Sequence, residues 1–259
     1  SYALISYWTA YFKAHYPLEY MGSVLNSRMD HPDKMVTCIN ECFRLGIPVL
    51  LPDINRSEEL FLIDRDSGPT AGLRTGLAAI KTVGEAAVRP LVEERKANGP
   101  YLSIDDFCRR ADSRGLNRRT LESLVRAGAF DCLGPRGAIL NAVDQIVATA
   151  QLEARTRNSG QTSLFGGQDG QPALSQAPGI SIGTSDVPLE QKAAWERELL
   201  GLPLSHNPLW DLANIDAGDA INSLAQLDEG MQGQTLSLLG HISALTERHT
   251  REQKRFLVV

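Results

Sequence analysis

The sequence predicts a mainly α chain that closes on a small amount of β structure. Three observations predict it. Apolar residues recur at three- and four-residue spacing over much of the chain as far as Ala154, the period of a helix and not of a strand. From Arg155 to Val187 the chain is rich in Gly, Gln, Ser and Pro and has no apolar period, so it reads as a flexible linker. Beyond it, Thr235–Leu245 and Arg255–Val259 are two short apolar runs joined by the charged stretch Thr246–Lys254, which reads as a long hairpin connection.

Composition bounds the function. The chain has 259 residues, enough for about two domains, and is 42% hydrophobic and 22% charged, as ordinary globular proteins are. No apolar run approaches the roughly 18 residues of a membrane span, so no membrane partner is expected. The first residues, Ser1 to Trp8, have neither the basic start nor the cleavage site of a secretory signal, and the chain opens abruptly, as a segment of something longer would. Cys38, Cys42, Cys108 and Cys132 lack the second close pair or the histidine pair that zinc needs, so buried thiols in a reducing cytoplasm are expected. A net charge of −5 gives no bulk signal for nucleic acid, so any such surface must be local. One segment qualifies: Cys108–Arg126 holds Arg109, Arg110, Arg114, Arg118, Arg119 and Arg126 against only Asp112 and Glu122.

Taken in order, the first element is aromatic. Five of the six tyrosines fall in the first 20 residues, and Leu4, Trp8, Tyr11 and His15 share one helical face, which predicts a single buried helix ended or kinked by Pro17. A second helix is predicted over Pro32–Leu45, with Met35, Ile39, Cys42 and Phe43 inward and Gly46 as its stop. Two prolines in Ile47–Asn55 predict an extended or edge segment. Glu59–Asp64 and Gly72–Leu77 read as short extended pieces around a turn at Asp66–Thr70. Glu85–Ala97 reads as a helix stopped by Asn98-Gly99-Pro100. Ser103 reads as an N-cap, with Asp106 three residues on. Gly115-Leu-Asn117 is a break, a helix resumes over Thr120–Ala127 until Gly128, and another covers Ala138–Ala154. Pro188–Leu200 is an amphipathic helix ended by Gly201.

The strongest local signal is Ala79-Ile-Lys-Thr-Val-Gly-Glu-Ala-Ala-Val88, the pattern of a helix-hairpin-helix motif. Gly84 lets backbone approach a phosphate, the following helix N-terminus supplies unpaired N–H groups, and Lys81 adds charge. The motif commonly has glycine where this chain has Thr82, which predicts a looser contact there. A more degenerate copy spans Ser113–Thr120, flanked by Arg118 and Arg119. Two such units bind duplex DNA through its backbone without reading sequence. The candidate DNA-binding residues are Lys81, Thr82, Val83, Gly84, Arg118 and Arg119.

Several segments in series resemble the alpha subunits of bacterial DNA polymerase III. Ser1–Pro17 and Gly46–Ser57 are similar to that family's fingers, Gly76–Lys81 to the lead into its hairpins, Leu124–Asp131 to the close of its tandem hairpin domain, and Ala193–Gly201 to the helix before its OB domain. Thr82 and Pro203–Leu209, where the family usually carries histidine directly before the proline, depart from the pattern. The resemblance implies outer fingers over 1–75, a tandem helix-hairpin-helix domain over 76–150, a linker over 151–187, a connecting helical segment over 188–230 and the first strands of an OB fold over 231–259. Gln161-Thr-Ser-Leu-Phe165 matches the family's sliding-clamp pentapeptide, with Gln161, Ser163, Leu164 and Phe165 as clamp-binding residues.

By the same resemblance the parent is a cytoplasmic, replisome-associated DNA-directed DNA polymerase. Its partners are primer-template duplex, the beta clamp and, through parts outside this chain, other holoenzyme subunits. The palm aspartates that hold Mg²⁺ in the family have no match, so no catalytic residue, metal site or cofactor is assigned to the segment, which is expected to be inactive alone. The carboxylates Asp105-Asp106 and Asp64-Arg-Asp66 have capping and turn explanations instead. Two alternatives are an error-prone paralogue of the family, which generally lacks the pentapeptide, and a non-catalytic DNA-binding or clamp-interaction module, which has no use for fingers-like residues.

Overall fold

The computed structural model describes residues 2–66, 68–111, 116–159, 179–206, 231, 233, 235, 246–249 and 255–258. The chain divides into two units, Ser1–His206 and Asn207–Val259. It is mainly helical, with two small sheets among the described residues.

Three helices open the first unit: α1 (Tyr2–His15), α2 (Pro17–Arg28) and α3 (Pro32–Arg44). Pro17 does end α1, but it also begins α2, a helix that the sequence reading missed. Tyr16, the residue before the proline, sits outside the helical region at φ −135° and ψ 57°, and Pro17 then takes the first helical position, where its missing N–H costs nothing. The expectation that the α1 stripe is buried is overturned. No residue of α1 is buried, and Leu4 and Trp8 are each 51% exposed. The period correctly grouped these residues on one face, but periodicity does not supply an element to cover that face. A salt bridge from Lys13 to Glu41 (2.6 Å) fastens α1 to α3.

Met21, Leu25, Met35, Ile39 and Cys42 pack between α2 and α3, and Ile47, Val49, Phe61 and Leu73 complete this core. The last group comes from around a three-stranded sheet, β1 (Val49–Leu50), β2 (Leu62–Asp64) and β3 (Gly72–Arg74), in the order β1-β3-β2. β3 runs parallel to β1 and antiparallel to β2, with Leu73 opposite both Val49 and Ile63. β1 lies at the edge, as the prolines on either side of it require.

The second core is helical. It gathers Ile80, Val88, Leu91, Phe107, Leu121, Leu124, Ile139 and Ile146 from a single 3₁₀ turn (Leu77–Ala79) and from α4 (Glu85–Asn98), α5 (Ile104–Arg110), α6 (Arg118–Arg126), α7 (Arg136–Asn141) and α8 (Val143–Ser159). Phe107 stands edge-on to Tyr101 and Phe130, with ring centroids 5.2 and 5.0 Å away. Ser103 caps α5 as expected, its hydroxyl accepting from the Asp106 N–H at 3.1 Å. The single helix expected over Ala138–Ala154 is instead two, broken at Ala142 (φ −97°, ψ 0°). Alanine is the strongest helix former, so nothing local announces that break.

The stretch expected to be a linker begins inside α8, which continues to Ser159. Residues 179–187 lie against the helices: Ile180 is buried, its N–H donates to Asp105 (2.8 Å), and Asp186 pairs with Lys192 and accepts the Gly137 N–H. The pentapeptide Gln161–Phe165 lies outside the described residues. α9 (Leu189–Leu200) follows and ends at Gly201 as expected.

The second unit shows an antiparallel pair, β4 (Thr246–His249) and β5 (Arg255–Val258), with Thr246 opposite Val258. Residues 246–249 were expected to be connection. Their charges suggested a loop, but an edge strand carries charge readily, and Glu247 pairs with Arg255 at 2.8 Å. The apolar run 235–245 lies, apart from Thr235, outside the described residues.

The expected buried thiols divide. Cys42 and Cys108 are buried, and burial pushes both thiols up to about 12, whereas Cys132 is exposed and donates to Asp53 (3.4 Å). No described helix is long and apolar enough to cross a membrane.

Candidate nucleic-acid interface

The Lys81–Gly84 turn joins the 3₁₀ turn to α4. Its first anchors are backbone: the Lys81 N–H donates to Leu199 O (3.0 Å) and the Val83 N–H to Ile80 O (3.0 Å). Val83 points inward and is 6% exposed, while Lys81, Thr82 and Gly84 are exposed. The Val83 side chain therefore packs beneath the turn.

Thr82 has φ +74° and is the only described non-glycine residue with positive φ. That conformation costs an L-residue roughly 1–2 kcal/mol, and a β-branched one is a true outlier. It explains why the motif favours glycine here. Thr82 holds the shape by another means: its Oγ1 lies 2.6 Å from Ser123 Oγ, in the middle of α6. The turn at Thr82 is thus left-handed and pinned by a hydroxyl pair. Thr82→Gly should remove both the strain and the bond, leaving stability within about 1 kcal/mol of the parent chain. Thr82→Val keeps the strain and loses the bond, so it should be about 1 kcal/mol less stable than the parent chain in urea melts. A Thr82→Val variant as stable as the parent chain would show that the hydroxyl pair holds nothing.

Gly84 precedes α4 with ordinary extended angles (φ −93°, ψ 154°). Its contribution is an absent side chain: a Cβ there would meet nothing within 4 Å, so the space before α4 is open. No side chain caps α4, which leaves N–H groups of its first turn free for an anion. Glu85 in that turn is the wrong sign for an anion but is drawn toward Arg89 (3.8 Å).

The second hairpin is built on α5 and α6. Residues 112–115 lie outside the described set, and α6 starts at Arg118, capped by Asn117, whose Oδ1 accepts the Thr120 N–H (2.9 Å). Arg118 and Arg119 therefore occupy the first turn of α6. That is the positive end of the helix dipole, where a cation is unfavourable by about 0.3–1 kcal/mol. Two arginines placed there concentrate positive charge at an exposed point. Arg119 is one turn from Ser123 on the same face of α6, and Ser123 meets Thr82. The fold thus brings the two hairpin signals to one region.

The rest of the arginine run is mostly committed elsewhere. Arg110 donates to Glu94, Asp106 and the carbonyls of Gly99 and Pro100, closing the end of α4. Arg126 stands over the Trp195 ring at 5.7 Å, and Arg109 is 3.9 Å from Asp106. Arg118 pairs with Glu122 (2.8 Å) and Asp144 (2.7 Å), which raise its pKa further. Arg114 lies outside the described residues. Arg119 is exposed and has no ion pair with another described residue. A run that looked uniformly basic therefore offers fewer free cations than its composition promised. Asn117, Ser123 and Asp144 were missed; only Asn117 had a sequence signal, an N-cap residue type before the next helix.

The carboxylates weighed as alternatives have internal partners. Asp64 accepts from buried Arg74 at 2.6 Å, Asp105 from Ile180 and Asp106 from the Leu102 N–H and Arg110.

Residues 46–139 match the family model described as a helix-hairpin-helix motif. The chain is similar to curated proteins named DNA polymerase III subunit alpha. It is 36% identical to that of Pseudomonas aeruginosa over 81% of this chain and 19% of the relative. It is 34% identical to that of Saccharopolyspora erythraea over the whole chain and 22% of the relative, and 37% identical to that of Escherichia coli over 81% and 18%. By sequence the chain belongs with the alpha subunits of DNA polymerase III, as a segment spanning about a fifth of the length of these relatives.

Proposed function

We propose that this segment holds duplex DNA by its phosphates, within a parent protein that extends a primer on a template. The observation that carries this reading is the Thr82–Ser123 contact, which sets the open Lys81–Gly84 turn beside the first turn of α6 with Arg118 and Arg119. Backbone N–H groups and three cations in one region suit phosphate and carry no base readout. Nucleotidyl transfer belongs to other parts of the parent, and so does its Mg²⁺, because the segment has no match to the family's paired aspartates. The parent works in the bacterial cytoplasm at the replication fork. Gln161–Phe165 extends the reading: it tethers the polymerase to the sliding clamp while the hairpins hold the duplex that the clamp encircles.

The hairpin reading is tested by changing Arg118 and Arg119 together to alanine. Duplexes of different sequence should weaken about equally, and the slope of log affinity against log salt should flatten by about 1–2, roughly one for the phosphate contact of Arg119 and up to one for that of Arg118. An unchanged affinity and slope would remove the hairpins from the DNA site.

A further inference from the structure

We infer that Asp144 competes with phosphate for Arg118, and that it weakens this segment's hold on duplex DNA; the inference rests on the DNA reading above. Arg118 stands in the first turn of α6 and is 62% exposed. Its Nε donates to Glu122, one turn along the same helix, at 2.8 Å. Its Nη1 lies 2.7 Å from Asp144 in the first turn of α8. The two acids differ in kind. Glu122 is 25% exposed, lies along α6 and also reaches Arg126 at 4.0 Å, so it belongs to the row of side chains on that helix. Asp144 comes from another helix and is 73% exposed, so it stands in the solvent from which a phosphate would approach.

A guanidinium carries five N–H donors; Arg118 commits its Nε–H to Glu122, while its Nη1 is held beside Asp144 as an ion pair. A phosphate arriving at the remaining donors comes close to the carboxylate of Asp144. The exposed pair is weak enough to yield, because such pairs contribute little in water and are screened by salt. Asp144 is also suited to stay when Arg118 turns away, since an acid in the first turn of α8 is favoured by that helix's dipole. Once Arg118 faces phosphate, Asp144 loses its partner and takes up a cation from solution. That uptake offsets one of the cations released from DNA. Asp144 therefore lowers both the affinity and its salt dependence, which suits a surface along which a duplex must pass.

The test is duplex binding by this chain across a salt series, for the parent, Asp144→Asn, Arg118→Ala and the double variant. Asp144→Asn should bind about three- to fivefold more tightly. Its log–log salt slope should steepen by up to one. In the Arg118→Ala background the same change should gain clearly less, because Asp144 acts through that arginine. Binding by the parent with no gain, or a loss, in Asp144→Asn would overturn the inference alone and make Asp144 an orienting group for Arg118. An equal gain with and without Arg118 would also overturn it, as simple removal of a negative charge. No binding by any of the four proteins would overturn the DNA reading and this inference together.

Discussion

Replacing Arg136 by methionine is expected to destabilise the first unit by about 3–5 kcal/mol, the range for removing one partner of a buried ion pair. Arg136 is 1% exposed at the start of α7, and Glu196 on α9 is fully buried. Their atoms Nη1 and Oε1 lie 2.7 Å apart. The arginine also forks onto Asp131, with Nε and Nη2 each 2.9 Å from a carboxylate oxygen, and Nη1 donates to the Arg126 carbonyl at 3.1 Å. The other oxygen of Glu196 accepts the N–H groups of Leu204 and Ser205, both at 2.8 Å. One side chain thus fastens the end of α6, α7, α9 and the turn beyond α9. Methionine would fill much of the volume but leave Glu196 charged, buried and short of a cation. Gly128 belongs to the same arrangement: it has φ +94°, and a Cβ on it would sit 2.4 Å from Arg136 Nη2. Equilibrium urea unfolding reads the loss as a lower midpoint. Changing Glu196 to methionine as well should cost less than the two single losses together, because the stranded charge is gone. A loss below about 1 kcal/mol in Arg136→Met would show that the pair is not what holds these helices.

That node was invisible in the sequence. Arg136 follows a Gly-Pro turn and looked like any surface arginine, and its partner lies sixty residues away. What was legible was local: the Ser103 cap, the stops at Gly46, Gly128 and Gly201, the edge position of β1 between prolines, and the inward face of α3. Each depends on the chemistry of a few neighbouring residues. What failed depended on distant packing. The α1 stripe was grouped correctly but assumed to be covered, the break at Ala142 has no signal in an alanine, and β4 was taken for a loop because its residues are charged. The site followed the same division. Lys81, Gly84, Arg118 and Arg119 were readable from the hairpin pattern, and Thr82 was noticed as a departure. Ser123 and Asp144 carry meaning only through side chains they meet across the fold, so no sequence spacing could have named them.

Leu164→Ala with Phe165→Ala is expected to abolish measurable binding to the sliding clamp. The reading rests on Gln161-Thr-Ser-Leu-Phe165, two adjacent large apolar residues in a stretch rich in Gly, Gln, Ser and Pro. Two adjacent large apolar side chains of this kind suit a pocket on a partner. Burying each contributes roughly 1.5–3 kcal/mol, so losing both should weaken binding by about 10²- to 10⁴-fold. Ordering a short linear peptide on binding works against the contact, so the parent affinity should itself be only on the order of micromolar. The double variant then falls to about 0.1–10 mM, at or beyond the edge of ordinary titration. Gln161→Ala should cost less, about 1 kcal/mol, because it removes one hydrogen bond at a pocket rim that water can replace. Weak binding is no defect in a tether. In the proposed arrangement the clamp would encircle the duplex held by the hairpins, so the second contact would form at high effective concentration, and avidity can exceed either affinity by about 10²–10⁴. Calorimetric titration of the clamp with the parent chain and the variants decides the matter. Equal binding by parent and double variant would place the attachment elsewhere on the chain, and no binding by the parent would refute the clamp reading outright.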